Sequence, residues 1–202
     1  MTREQRTHYL AMAERRARPG SGSGTCVLHE RTAHYPAPDL CCLQGHIPFV
    51  VVGGLATRLY MPERMTLDTD ILVLADDAAR AEAALGRAGW EKCGPLSIGG
   101  STWRSPDGQA LDLVALDEPW VSDAIRAAVQ GPEGLPYVAL PYLVLMKLTA
   151  GRLQDLADIG RMLGAAAEPT LEAVRQVVRR YRPADIDDLK SIIRLGHLDH
   201  KT

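Results

Sequence analysis

The chain has 202 residues, enough for one ordinary domain with a real core, and its 46% apolar and 24% charged content excludes a disordered chain. A formal charge of −2 at pH 7 excludes any global attraction to nucleic acid, so such binding would have to come from a local patch. No apolar run approaches the roughly 18 residues of a spanning helix, and the apolar stretch 9–13 is too short for a signal-peptide core, so the cytoplasm is the expected compartment.

Residues 3–18 read as a polar, arginine-rich helix, ended by the Pro-Gly-Ser-Gly-Ser-Gly stretch at 19–24, which has the composition of a flexible linker. Residues 1–24 are therefore expected to form a basic helix and linker, a mobile arm ahead of one domain over 25–202. The segment 25–45 has weak periodicity. Four cysteines (Cys26, Cys41, Cys42, Cys93) show neither disulfide density nor a C-x-x-C pair. Cys26, His29, His34 and Cys41 lack the tight, repeated spacing of structural zinc ligands, so the thiols read as buried or idle.

From Ile47 the signals sharpen. Phe49-Val50-Val51-Val52 is the continuous β-branched run of a strand buried on both faces; Gly53-Gly54 ends it, and a short helix is expected over 55–60. A second strand follows over 70–75, then a helix start at Asp76-Asp77 and an alanine-rich helix over 78–89. The strands 101–104 and 110–116 are joined by Pro106-Asp107-Gly108, a hairpin turn in which proline sets φ and glycine allows φ > 0. Helices are expected over 120–130, 141–150, 153–164, 169–181 and 184–195. The fold class is thus α+β: a small mixed sheet with flanking helices over 47–118, then a helical part over 119–202.

Three features carry chemistry together. Glycines after a strand let the backbone approach a ligand closely, and the following helix start offers unpaired N–H groups to a phosphate; alone, such a pair marks only a tight turn. In Asp68-Thr69-Asp70 the carboxylates are two apart on a strand, hence on one face, where like charges repel unless a cation compensates. Magnesium accepts one or two carboxylates together with substrate phosphates, which suits this pair. Asp112 stands inside Leu111-Asp112-Leu113-Val114, where a carboxylate costs free energy unless it is liganded or faces solvent. Were its strand beside the Asp-x-Asp strand, three carboxylates would converge on one metal.

Gly53-Gly54-Leu55-Ala56, then Arg64-Met65-Thr66-Leu67-Asp68-Thr69-Asp70, then Leu111-Asp112-Leu113, resembles the nucleotidyltransferase superfamily in order and spacing. Lys147-Leu148-Thr149-Ala150-Gly151-Arg152, followed by Asp155-Leu156-Ala157-Asp158, is similar to a later signature of the branch named after the abortive-infection toxin AbiEii. The likeness covers about residues 49–163. It departs at Gly54, where the superfamily often has serine, and at Leu153-Gln154, where relatives carry Pro-Lys. The resemblance implies the nucleotidyltransferase fold, Mg2+ as cofactor and an NTP as substrate. It further implies the toxin of a toxin–antitoxin pair, with tRNA the preferred acceptor, protein hydroxyls next, and a cognate antitoxin as partner; no membrane partner is expected.

Roles then follow from the chemistry of phosphoryl transfer, which is mainly positioning and charge neutralisation. Asp68, Asp70 and Asp112 would hold the metal, with Asp112 helping to deprotonate the acceptor. Lys147 would be a point charge for the triphosphate, and Gly53, Gly54, Arg64, Asp155 and Asp158 complete the nucleotide-binding set. On one continuous helix Lys147 and Asp158 would lie within about 20° of each other, unless Gly151 breaks it. The alternative for Asp155 and Asp158 is pairing with Arg152 or Arg161, or capping a helix; for Arg58 and Arg64 it is a solvated salt bridge. Arg175, Arg179, Arg180 and Arg182 form a local basic patch that would serve an RNA acceptor through its phosphates; the preferred reading is a solvated helix face compensated by Asp185, Asp187 and Asp188, with Trp90, Trp103 and Trp120 as packing residues. Two other functions compete: a nucleotide-binding interaction module without turnover, and a small-molecule transferase that modifies an aminoglycoside-type antibiotic.

Overall fold

The computed structural model describes residues 1–16, 38–61, 66 and 68–200. The linker 19–24, the candidate zinc ligands Cys26, His29 and His34, and Arg64 lie outside the described residues. The chain divides into two compact units, Thr32–Ala139 and Met1–Arg31 with Leu140–Thr202.

The first unit is built on a seven-stranded mixed sheet. Its elements are β1 (Val50–Val52), α2 (Gly53–Arg58), β2 (Thr69–Leu74), α3 (Ala78–Arg87), β3 (Glu91–Pro95), β4 (Gly100–Arg104), β5 (Ala110–Leu116), α4 (Val121–Arg126), β6 (Val129–Gln130) and β7 (Pro136–Tyr137). The order across the sheet is β3-β4-β5-β2-β1-β7-β6. β2 pairs parallel with β5 and antiparallel with β1, so the two expected acidic strands are neighbours at the centre. The 101–104/110–116 hairpin forms as expected. Residues 129–130, expected within a helix, instead form β6: α4 ends at Arg126, and β-branched Val129 ahead of Gly131-Pro132 favours an extended segment.

Alternation and register give each sheet face its own population. Thr69, Ile71, Leu111, Leu113, Ser101 and Trp103 share one face and are all buried. α3 is tied to that face: Ser101 Oγ donates to Glu82 Oε1 (2.6 Å) and itself accepts from Trp103 Nε1 (2.8 Å). The Lys92 ammonium, and after it the Ser101 hydroxyl, hold the Glu82 carboxyl below the usual carboxylate range. Thr69 is fully buried there, and its hydroxyl has no hydrogen-bond partner. Thr69→Val keeps the branched shape and removes an unsatisfied polar atom, so a gain of about 1 kcal/mol in urea denaturation is expected.

The helical unit comprises α1 (Arg3–Arg16), α5 (Leu140–Ala150), α6 (Leu153–Gly164), α7 (Glu168–Tyr181) and α8 (Ile186–His200). Gly151 adopts φ +60° and separates α5 from α6, the break anticipated from its position. α1 does not project as an arm. Arg6 is buried, and its guanidinium donates from Nε to Asp188 Oδ2 (2.7 Å), from Nη2 to Asp185 Oδ1 (2.6 Å) and from Nη1 to the Leu148 carbonyl (2.9 Å). Leu10, one helical turn on, is buried with it.

α6 and α8 pack through glycine. A Cβ on Gly196 would lie 3.0 Å from the carbonyl carbon of Gly160 and 3.0 Å from Gly164 Cα, and closer still to the Gly160 carbonyl oxygen. These are backbone atoms that cannot rotate aside. Gly196→Ala should therefore lower stability by about 1–3 kcal/mol despite alanine's better helix propensity, as read from thermal or urea unfolding.

On α7, Arg175 donates to Glu168 (2.5 Å) and Arg179 to Glu172 (2.9 Å), while Arg182 pairs with Asp185, so the arginine face is largely compensated. Trp90, Trp103 and Trp120 are buried packing residues. Among the described residues, no helix is long and apolar enough to cross a membrane.

Candidate functional site

The parallel ladder pairs Asp70 with Asp112 directly. Neighbouring strands lie roughly 4.8 Å apart, and directly paired residues of a parallel ladder point to the same face. The carboxylates of β2 and β5 are thus side by side, each half-exposed, in a cross-sheet row that runs Thr102, Asp112, Asp70, Val52. The alternation that buries Thr69, Ile71, Leu111 and Leu113 on one face places the two acids on the other.

β1 brings the glycine turn to the same place. Val52 is the register partner of Asp70, so Gly53 is the next residue along. Gly53 has φ +61°, and a Cβ on it would overlap Asp70 Oδ2. Glycine is needed here twice, once for the left-handed backbone and once because the Asp70 carboxylate occupies the side-chain space. α2 begins at this turn and is six residues long, so it contributes a short row of amides rather than a full macrodipole. The Thr57 hydroxyl donates to the Gly53 carbonyl (2.8 Å) and steadies the turn from within the helix.

Asp68 stands one residue ahead of the ladder and is exposed. Its carbonyl accepts from the Thr66 hydroxyl (3.2 Å), and Thr66 in turn fills the side-chain space of Gly54, where an added Cβ would come within 2.5 Å of Thr66 Cβ. Thr66 was quoted within the motif that carries the resemblance but given no role there; its place over Gly54 is a contact the sequence did not show.

The oxygen donors fit a hard divalent cation. Asp70 and Asp112 are adjacent carboxylates, and Gly53 leaves Asp70 Oδ2 its space. Among the described residues, no three His, Cys, Asp or Glu side chains are gathered closely enough to hold a metal by themselves. Two carboxylates alone would suit only a cation that completes its shell with water and phosphate, as magnesium does.

Lys147, Asp155 and Asp158 lie in the helical unit and form their own buried cluster. Lys147 Nζ donates to Asp158 Oδ2 (2.7 Å) and Asp155 Oδ1 (3.3 Å). Arg152 Nε donates to Asp155 Oδ2 (2.7 Å), and Gln154 Nε2 to Asp158 Oδ1 (2.9 Å). The Arg152–Asp155 pairing is the one weighed from the sequence, and Gln154, at a departure from the resemblance, is put to use within the cluster. A separate cavity of about 350 Å3, lined by Asp39, Cys41, Cys42, Trp90, Ser105 and Asp107 among others, contains none of Gly53, Gly54, Asp68, Asp70, Asp112 and Lys147. Cys41 and Cys93 are exposed and Cys42 is half-buried, all as free thiols.

No family model and no curated protein matches the chain. Solved structures do. The chain is similar to the antibiotic-resistance factor ANT(2″)-Ia in its solution structure, at 16% identity over 78% of this chain and 88% of that one, with a TM-score of 0.43. It is similar to the Thermotoga maritima CCA-adding enzyme complexed with tRNA, at 18% identity over 90% of this chain and 54% of that one, with a TM-score of 0.39. It is also similar to the Megavirus polyadenylate synthase, at 10% identity over 98% of this chain and 34% of that one, with a TM-score of 0.34.

Proposed function

We propose that this chain is a nucleotidyltransferase, moving a nucleoside monophosphate from an NTP to an acceptor hydroxyl. The observation that carries the reading is the direct pairing of Asp70 with Asp112 on adjacent parallel strands, with Gly53 shaped around the Asp70 carboxylate. Two carboxylates held side by side in a rigid sheet suit a bound cation. The motif order read from the sequence supplies the rest: a glycine turn, Asp-x-Asp, then a third aspartate on the neighbouring strand.

In this reading Asp70 and Asp112 hold Mg2+, and Asp68 adds a third carboxylate from the segment leading into β2. Bound there, the cation would neutralise the triphosphate and polarise the α-phosphate. The chain's own residues do the positioning. The amides around Gly53-Gly54 receive phosphate oxygens at a place where no side chain intervenes. Asp112 accepts the proton of the acceptor hydroxyl, whose oxygen bonds to the α-phosphorus as the bond to pyrophosphate breaks. Lys147 is engaged by Asp155 and Asp158, so its part is to hold the start of α6 against the end of α5.

The resemblance to the toxin branch makes an RNA 3′ hydroxyl the first acceptor to test, a protein hydroxyl the second and an aminoglycoside the third, with a cognate antitoxin as partner. The experiment incubates the protein with Mg2+ and each of the four α-labelled NTPs, in separate arms with total tRNA, cell lysate and an aminoglycoside. Label in one acceptor with equal pyrophosphate release supports the reading. Binding of an NTP with no pyrophosphate released in any arm would leave an interaction module in its place.

A further inference from the structure

We propose that the β4–β3 end of the acid-bearing sheet face is the acceptor subsite, where Arg104 holds a backbone phosphate of a nucleic-acid 3′ end; this rests on the nucleotidyl-transfer reading above. In-line displacement fixes the direction of approach, since the attacking and leaving oxygens stand on opposite sides of the α-phosphorus. The Gly53-Gly54 turn, which receives phosphate oxygens in that reading, lies at the Val52 end of the row Thr102, Asp112, Asp70, Val52. With the α-phosphorus beside Asp70 and Asp112, the acceptor hydroxyl comes from the other end of the row, across Thr102.

The chain leaves that end open. Thr102 is half-exposed, and its register partner on β3 is Gly94. A Cβ on Gly94 would meet no atom within 4 Å. Beyond Asp112 the face thus continues as a low shelf with room for the body of an acceptor. Arg104 stands on the same face, two residues along β4 from Thr102, while Trp103 between them is buried on the opposite one. Arg104 is exposed, and among the described residues it forms no ion pair, its register partner Glu91 included. Arg175, Arg179 and Arg182, by contrast, are engaged by Glu168, Glu172 and Asp185. Arg104 is diagonal to Asp112 in the β4–β5 ladder, a separation of roughly 7–8 Å. A guanidinium so placed suits a phosphate just behind the reacting hydroxyl, and it has the wrong sign for the ammonium groups of an aminoglycoside.

The test measures steady-state transfer from α-labelled NTP to total tRNA by the full chain at several KCl concentrations, for wild type, Arg104→Gln, Arg104→Lys and Gly94→Val, with thermal unfolding on the same preparations. Arg104→Gln is expected to raise the KM for tRNA about tenfold and to lower the slope of log(kcat/KM) against log[KCl] by about 0.7, the loss of one single-strand phosphate contact. The KM for NTP and the unfolding temperature should not move. Arg104→Lys should keep most of the tRNA affinity and of the slope. Gly94 lies outside the left-handed region, so Gly94→Val should fold normally and raise the tRNA KM by filling the shelf. An unchanged tRNA KM in Arg104→Gln or in Gly94→Val, or a rise in the NTP KM instead, overturns the proposal, while label in tRNA from wild type keeps the function. Label that enters an aminoglycoside or protein and not tRNA also overturns the proposal and keeps the function. Wild type that labels no acceptor overturns both.

Discussion

Asp70→Asn should abolish transfer, with label incorporation falling at least about a thousandfold, a loss of about 4 kcal/mol of transition-state stabilisation. Asparagine has the size and shape of aspartate, so the β2–β5 register and the fit against Gly53 are kept. What goes is one of two adjacent negative charges. With size and register kept, the variant should unfold at about the same temperature as wild type. Asp112→Asn should behave alike, and the double variant should be little worse than either, because the two act as one unit. Activity lost with stability kept is the signature of a site held in place by its surroundings at a cost. Loss of activity together with a large fall in unfolding temperature would instead make the pair part of the sheet's framework. The readouts are labelled-product formation and thermal unfolding on the same preparations.

Arg6→Met should be among the most damaging single changes outside the sheet, costing about 3–5 kcal/mol by urea denaturation. Methionine replaces the stem but leaves Asp185 and Asp188, both buried, without the guanidinium that each now meets within 2.7 Å. Asp185 retains Arg182, and Asp188 retains the Thr7 hydroxyl at 3.2 Å, so the loss stops short of two bare charges. Adding Asp185→Asn and Asp188→Asn should recover much of the stability, since the penalty comes from uncompensated charge rather than from lost attraction. An unchanged denaturation midpoint in Arg6→Met would mean that α1 is held by Leu10 and its apolar neighbours alone. The slope of the transition should stay constant if the helix remains docked.

How far the sequence carried depended on whether each element's signal was local. β2 and β5 were legible because both are apolar runs, and their single acids each stand one residue inside the shared ladder, which makes the common face a matter of parity. The turn at Pro106-Asp107-Gly108 announced its hairpin through backbone chemistry. β3 was not legible: Glu91-Lys92-Cys93-Gly94-Pro95 is charged, glycine-bearing and mostly exposed, an edge strand recruited by β4 with a register shift between Lys92 and Gly94. The docking of α1 was equally hidden, because Arg6 finds its acids 179 and 182 residues away and its own helix has no apolar face to betray the contact. In the site, the residue types and their order were readable, whereas the position of Asp68 outside the ladder and the place of Thr66 over Gly54 depend on three-dimensional neighbours. Lys147 was recognised by its motif; that its ammonium is shared by Asp155 and Asp158 is a property of two helices meeting at an angle that Gly151 sets.

That junction has a mechanical consequence. A left-handed glycine between two helices is ordinarily a free elbow, where the chain flexes at little energetic expense. Here the Lys147 side chain spans it, leaving α5 and reaching the first two turns of α6. Flexing at residue 151 would pull a buried ammonium from two buried carboxylates, a penalty of about 3–5 kcal/mol. The elbow is latched, and a push on the end of α6 is passed along α5 as through a single rigid lever.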